Sequence, residues 1–81
     1  MKQPSEQYKE VVKDLIWYYE HQLSITIFWK DWSKSIGCFD PNHPIFKYNA
    51  QKYRNDYAKS ISEYRNKLRT THQLMETLNH A

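Results

Sequence analysis

The residues best suited to chemistry are four histidines and a single cysteine. Three potential metal ligands, Cys38, Asp40 and His43, fall within one short stretch. A structural zinc ion needs four such ligands, and a catalytic zinc ion needs three and a water molecule. The chain contains no CxxC, HxxxH or ExxH spacing that would supply the others. We therefore expect no metal site and no cofactor.

Cys38 and His43 could instead form a thiol–imidazole pair, in which the base activates the cysteine as a nucleophile. Such a pair also needs an orienting third group and donors that stabilise an oxyanion, and the sequence identifies neither of them. The chain contains no Gly-rich phosphate loop and no nucleophile elbow, the turn that presents a catalytic serine. We therefore predict that the protein is not an enzyme and that it has no catalytic residues.

Basic side chains are the strongest polar signal, because they are concentrated in the C-terminal part of the chain. Residues 45–81 contain seven Lys or Arg against three Asp or Glu, whereas residues 1–36 contain five of each. On a helix, four of the seven would project within roughly 60° of one another and form a basic stripe. These four are Lys47, Arg54, Arg65 and Arg69. Such a stripe could contact nucleic-acid phosphates or an acidic protein surface, or simply face solvent.

Two aromatic residues, Trp17 and Phe28, lie about three helical turns apart and would project from the polar side of one helix. Exposed Trp and Tyr side chains near Arg are typical of protein-binding hot spots, and single-stranded nucleic acid stacks on such rings. Isolated apolar side chains are also common on ordinary protein surfaces. We predict that Trp17 and Phe28 bind a partner together with the basic stripe.

These residues need elements that position them, and the sequence predicts two helices joined by one loop. The first helix begins near Ser5, which can cap its free N–H groups, and Glu6 complements the helix dipole. The helical pattern runs to about Ile36, and Gly37, the only glycine, suits a left-handed C-terminal cap. Residues 38–43 contain the only strong turn signal.

Pro44 suits the first turn of a second helix, because a proline there loses no hydrogen bond. The sequence after it has no further helix breaker and no strand pattern. Two helices joined by a short loop run antiparallel. We therefore predict an all-α fold, an antiparallel two-helix hairpin with helices at about 5–36 and 44–79, in a single domain of residues 1–81.

The second helix carries one narrow apolar seam. Its members recur every three or four residues and span roughly 80° of the helix, at about 100° per residue. One partner helix can cover such a seam. The members are Phe46, Ala50, Tyr53, Tyr57, Ile61, Tyr64, Leu68, Thr71, Met75 and Leu78.

The first helix has a wider apolar face, which consists of two rows and covers roughly 200°. One row has a strict heptad spacing: Tyr8, Val11, Leu15, Tyr18, Gln22, Ile25, Trp29, Trp32, Ile36 and Phe39. The second row lies beside it: Val12, Ile16, Tyr19, Leu23 and Ile27. A helix with a single seam cannot cover both rows, so the first helix is predicted to have two packing partners.

The second packing partner is expected to be another copy of the chain. A chain of this length buries only roughly 60% of its unfolded surface, and small folds often gain stability by association. Two hairpins that pack through their first helices form a four-helix bundle, and two-fold homodimers are the commonest oligomers. The predicted interface is Tyr8, Val11, Leu15, Tyr18, Gln22, Ile25, Trp29 and Trp32. Gln22, its polar member, either fixes the register of packing or lies at the bundle edge.

Sequence features also bear on location. A lone cysteine suits a reducing compartment. The N-terminal residues lack the apolar stretch of a secretory signal, and no apolar run approaches the roughly 20 residues needed to span a membrane. We therefore expect a cytoplasmic protein that has no contact with a membrane.

Together these features favour a small non-enzymatic interaction protein that self-associates and binds a larger protein, as an inhibitor or an adaptor does. Its composition, rich in Tyr and almost free of Gly, is similar to that of small helical phage and mobile-element products. Two alternatives stay open at this point. One is a basic helical dimer that binds nucleic acid, and the other is a protein that holds a small anionic ligand, such as a nucleotide, between subunits.

Overall fold

The computed structural model describes residues 4–80, with side chains from residue 6 onwards. It contains two α-helices, α1 (Pro4–Ser35) and α2 (Ala50–Asn79), which pack along each other and give the molecule dimensions of 61 × 16 × 12 Å. They run antiparallel, since Ser33 near the end of α1 contacts Tyr57 near the start of α2. The described residues contain no strand, and none of their helices is long and apolar enough to cross a membrane. The predicted helical hairpin is confirmed.

The bounds of α1 agree with the prediction to within one residue. The helix begins at Pro4, and Glu6 places a carboxylate in its first turn, where the helix dipole favours negative charge. The predicted capping bond of Ser5 lies outside the described side chains. At the other end, Ser35 is the last helical residue, and Lys34 places a positive charge in the last turn.

α1 ends in a Schellman motif, a pair of backbone hydrogen bonds that closes a helix around a left-handed residue. The Cys38 N–H donates to the Ser33 carbonyl (2.9 Å), and the Gly37 N–H donates to the Lys34 carbonyl (3.1 Å). Gly37 has a φ of 84°, in the region that favours glycine. A Cβ at this position would also lie 2.5 Å from Cδ2 of His43. The prediction that Gly37 caps the first helix is confirmed.

α2 begins at Ala50, and the prediction that it begins at Pro44 is wrong. The chain does start a turn there, which His43 caps. The ring Nδ1 of His43 accepts the backbone N–H groups of Ile45 (3.1 Å) and Phe46 (3.3 Å). This is the role that Ser, Thr or Asp usually plays at the start of a helix.

Asn49 stops that first turn from continuing into α2. Its N–H donates to the carbonyl of Phe46 (3.0 Å), and its φ of −121° lies outside the helical region. Residues 44–49 therefore form a series of turns, and a separate helix follows. As a consequence Lys47, which was predicted to lie on the second helix, lies in the connecting segment.

The core is a single layer of side chains between the two helices. Every member of the seam predicted for the second helix is buried or half-buried, although Phe46 lies in the connecting segment and not on α2. α1 contributes its second apolar row, in which Val12 is the most buried residue at 3% exposed, and Ile61 of α2 is 7% exposed. No large side chain among residues 6–80 is completely enclosed. Packing of two helices alone thus leaves this layer open along its edges.

Phe39 belongs to this core and not to the heptad row in which it was predicted. The chain has already turned at Gly37, so the Phe39 side chain folds back and meets the ring of Tyr57 edge to face, with centroids 5.8 Å apart. The Tyr57 hydroxyl also forms a hydrogen bond with the buried hydroxyl of Ser33 (3.1 Å). These contacts fix the loop end of the hairpin.

Candidate functional site

α2 covers the second apolar row of α1 and leaves most of the heptad row open. The open residues form a continuous surface along α1, the aromatic face: Tyr8, Val11, Leu15, Tyr18, Ile25, Trp29, Trp32 and Ile36. Their exposure ranges from 37% at Leu15 to 62% at Tyr8. The aromatic face includes every residue of the predicted oligomer interface except Gln22.

Gln22 lies near the middle of the aromatic face and is half-buried. It divides the face into two halves of different character. The N-terminal half carries two tyrosines with Val11 and Leu15, whereas the C-terminal half carries both tryptophans with two isoleucines. The two halves therefore differ in side-chain volume, which matters for any partner that must fill the space above them.

The C-terminal half of the aromatic face is an aromatic cluster. Trp29 meets Trp32 edge to face with centroids 5.6 Å apart, and Phe28 meets Trp29 in the same way at 5.4 Å. Phe28 was predicted to stand apart on the polar side of the helix. Its contact with Trp29 instead joins it to the edge of the aromatic face.

Trp17 does stand apart from the aromatic face, as predicted from its position on the helix. It is 65% exposed, and its ring stacks on that of His21 at 5.2 Å with the planes inclined by only 5°. Trp17 and Phe28, which were predicted to act as a pair, thus have different surroundings. Only Phe28 is continuous with the larger apolar surface.

A groove of about 420 Å³ extends the aromatic face onto α2. On the side of α1 it is lined by Ile25 and Trp29, and on the side of α2 it is lined by Tyr53 and Tyr57. Asp56 places a carboxylate at its rim. The groove runs between the two helices, so it offers a seat in which a third helix could contact both of them.

The opposite side of the hairpin has a different groove, the basic groove, with a cationic rim. Its four cations come from both helices: Lys30 and Lys34 from α1, and Arg54 and Arg65 from α2. Neighbouring hollows of about 450 and 330 Å³ share Lys30 and Ala58, so the groove is continuous. Its floor contains Ile27, Phe39, Ala58 and Ile61.

The structure brings together only two of the four residues predicted to form a basic stripe, Arg54 and Arg65. Lys47 lies in the connecting segment with its Nζ 5.0 Å from the ring centre of Tyr48. Arg69 lies on α2 beyond the basic groove and donates to Oδ1 of Asn66 (3.2 Å).

The sequence reasoning missed Lys30 and Lys34, which occupy the rim positions opposite the arginines. Their spacing of one helical turn beside the second apolar row was a signal that could have placed them near α2.

The three loop residues considered as metal ligands each have another role. Cys38 is buried, and Oδ1 of Asp40 accepts the N–H of Asn42 (2.8 Å), which closes a local turn. His43 caps the turn that follows. Across residues 4–80, no three His, Cys, Asp or Glu side chains are grouped as a metal ion would require.

Comparison with known protein families, with curated proteins and with solved structures finds no match for this chain.

Proposed function

We propose that this protein is a small non-enzymatic interaction protein, which self-associates through the aromatic face and binds a larger protein as an inhibitor or an adaptor does. The observation that carries self-association is the heptad row of α1, which α2 leaves exposed. Removal of apolar surface from water is favourable by about 25 cal/mol per Å². A partner that covers the aromatic face therefore gains this free energy.

The size of the aromatic face supports a protein partner over incidental surface exposure. With about 150–250 Å² for each large side chain, the exposed fractions amount to roughly 800 Å² per chain. The largest apolar patch of a typical monomer is about 300–600 Å². A standard stable interface takes about 800 Å² from each partner. The aromatic face is thus large enough for one complete interface.

We infer that the occupant of this surface is a second copy of the chain. The groove between Trp29 and Tyr53 can seat the α1 helix of the second copy, and by symmetry the second copy offers the same groove in return. Two hairpins joined in this way form a four-helix bundle with both α1 helices at its centre. The single-layer core of each hairpin then becomes part of a thicker one.

The experiment that tests self-association is sedimentation equilibrium of the full chain over a range of micromolar concentrations. The expected result is the mass of a dimer or a higher oligomer. A monomer at every concentration, with intact helicity in circular dichroism, would refute the proposed role of the aromatic face. The partner-binding role is tested separately by purification of tagged protein from its native host after nuclease treatment.

A second candidate function, nucleic-acid binding by a basic helical dimer, is favoured by the convergence of Lys30, Lys34, Arg54 and Arg65. A dimer would carry two such grooves. Binding through several phosphates releases counterions, so the affinity would fall steeply as salt concentration rises. The test is to measure the affinity for a labelled oligonucleotide at two salt concentrations. A steep loss of affinity at the higher salt concentration would support nucleic-acid binding, because recognition of a protein surface also uses apolar contacts that salt does not weaken.

A further inference from the structure

The basic groove is a composite site, since neither helix forms it alone. Lys34 and Arg54 line one end, next to Phe39, and Arg65 lines the other, while Lys30 lies between them where the two hollows meet. The two ends are separated by 11 residues of α2, from position 54 to position 65, which corresponds to roughly 16 Å at about 1.5 Å per residue. The groove therefore matches the length of a segment of about three helical turns.

The positive charge of the basic groove is not neutralised by carboxylates of the chain itself. Asp40 is the carboxylate that borders it, next to Lys34 at the loop end. Nowhere in the described part of the chain does a carboxylate form an ion pair with Lys30, Lys34 or either arginine of the rim. Four positive charges thus surround a narrow concave surface, where the low-dielectric walls strengthen their attraction for a negatively charged ligand.

The floor of the basic groove favours an anionic protein segment over a nucleic acid as the ligand. Ile27, Phe39, Ala58 and Ile61 give the groove an apolar floor, and Ser62 and Asn66 add polar groups at the end near Arg65. A nucleic-acid backbone presents mainly charged phosphates, which gain little from an apolar floor. Single-stranded nucleic acid is usually held by aromatic rings interleaved with cations. Here the ring that lines the groove, Phe39, is buried against Tyr57, and the exposed rings of Trp29 and Trp32 are on the opposite side of the hairpin.

We propose that the basic groove binds an acidic amphipathic segment of a protein partner. Asp or Glu side chains of the segment pair with the four cations of the rim, and its apolar side chains pack on Ile27, Ala58 and Ile61. The two arginines can hold carboxylates through paired hydrogen bonds, which lysine cannot do. This inference rests on the proposed function and specifies the chemistry of the partner. The groove is on the side of the hairpin away from the aromatic face, so self-association leaves it open.

The test uses a synthetic helical peptide of about 15 residues, built from Glu with Leu at every third or fourth position, as the probe. Two matched peptides carry Gln in place of Glu, or Ala in place of Leu. Binding to the full-length, ¹⁵N-labelled protein is followed by chemical-shift changes of backbone amides. The Glu–Leu peptide is expected to shift the amides around Lys30, Ala58 and Arg65, and both matched peptides are expected to bind at least about tenfold more weakly.

Charge-reversal variants then assign the binding to the groove. The double variant Lys30→Glu, Arg54→Glu is expected to weaken binding of the Glu–Leu peptide at least about tenfold. Its control is Lys52→Glu, Lys59→Glu, which changes the net charge equally on exposed positions of α2 outside the groove. If the charge reversal perturbs the helicity, the neutral variant Arg54→Gln, Arg65→Gln gives a smaller loss in the same direction.

Three results would overturn the proposal. One is the absence of groove shifts at about 1 mM Glu–Leu peptide, the weak limit of specific recognition. Another is an equal loss of binding in the Lys52, Lys59 control, which would indicate net-charge attraction alone. The last is tighter binding of a 15-nucleotide oligo-dT than of the peptide, which would assign the groove to nucleic acid. The oligomer mass of each variant is measured in parallel, so failure of self-association is seen independently of failure of the groove.

Discussion

The indole rings of Trp29 and Trp32 meet edge to face on the open side of α1, with centroids 5.6 Å apart and planes inclined at 86°. Each ring packs against the other, while about half of each residue remains in contact with solvent. Rigid, exposed Trp side chains are the residues most enriched among interface hot spots. We therefore expect this pair to anchor the contact between two copies of the chain.

Replacement of both tryptophans, Trp29→Ala with Trp32→Ala, should weaken self-association at least about 100-fold, because hot-spot truncations commonly cost about 2 kcal/mol or more each. The measurement is sedimentation velocity over a concentration series. The matched control is Trp17→Ala, which removes an exposed tryptophan outside the aromatic face. An unchanged dimer in the double variant, or an equal loss in the control, would contradict the assignment.

The two copies of α1 should lie antiparallel. The tryptophan half of one copy then faces the half that contains Val11 and Leu15 in the other, so large side chains meet small ones. A parallel arrangement would place four tryptophans at one level and bring the smaller side chains of the two N-terminal halves together at the other. Gln22 lies near the two-fold axis in the antiparallel arrangement and limits the polar disruption to the centre of the interface.

A spin label tests this orientation. The label is attached at Ser35→Cys in a Cys38→Ser background, and the labelled chain is mixed with ¹⁵N-labelled chains. Because the spin label and the ¹⁵N label are on different chains, broadening of an amide signal reports a contact between two copies. Antiparallel packing predicts broadening of the amides of residues 8–15, since the end of one α1 lies over the beginning of the other. Broadening of residues 29–35 instead would show a parallel arrangement.

The packing of the hairpin itself should depend on Ile61. This residue is 7% exposed in the centre of the seam of α2, and removal of a large buried aliphatic side chain costs about 2–5 kcal/mol. We expect Ile61→Ala to lower the free energy of unfolding by about 2–4 kcal/mol in urea titrations. Leu74→Ala, at a position 48% exposed, should cost less than about 1 kcal/mol. Both titrations need the same protein concentration, because association adds to stability.

The loop end should be sensitive to Gly37→Ala, with a loss of about 1–3 kcal/mol from the strained left-handed backbone and the close approach of His43. His43→Ala should cost about 1 kcal/mol, since it removes the acceptor of two backbone N–H groups. The double variant should lose less than the sum of the two, because the clash with the imidazole is gone. Strict additivity in urea titrations would show that the His43 ring does not restrict this position.

Local patterns in the sequence determined most of the fold. The apolar period predicted both helices and the nine seam residues that lie on α2, from Ala50 to Leu78, since burial on one side of a helix recurs with the helical turn. Gly37 predicted the end of α1, because a left-handed cap favours glycine at that position. The two apolar rows of α1 also predicted that one partner helix would leave a face uncovered. Each of these properties depends on neighbours along the chain.

The tertiary structure decided how each helix is rotated about its own axis relative to the other helix. The apolar period of a sequence does not specify this rotation. That rotation buries the row of Val12 and exposes the row of Trp29, and it sets Lys30 and Lys34 opposite the arginines of α2. The two other differences between prediction and structure lie in the loop. Phe39 folds into the core after the chain turns. Asn49 leaves the helical conformation, with a φ of −121°, and so interrupts the helix that was predicted to begin at Pro44.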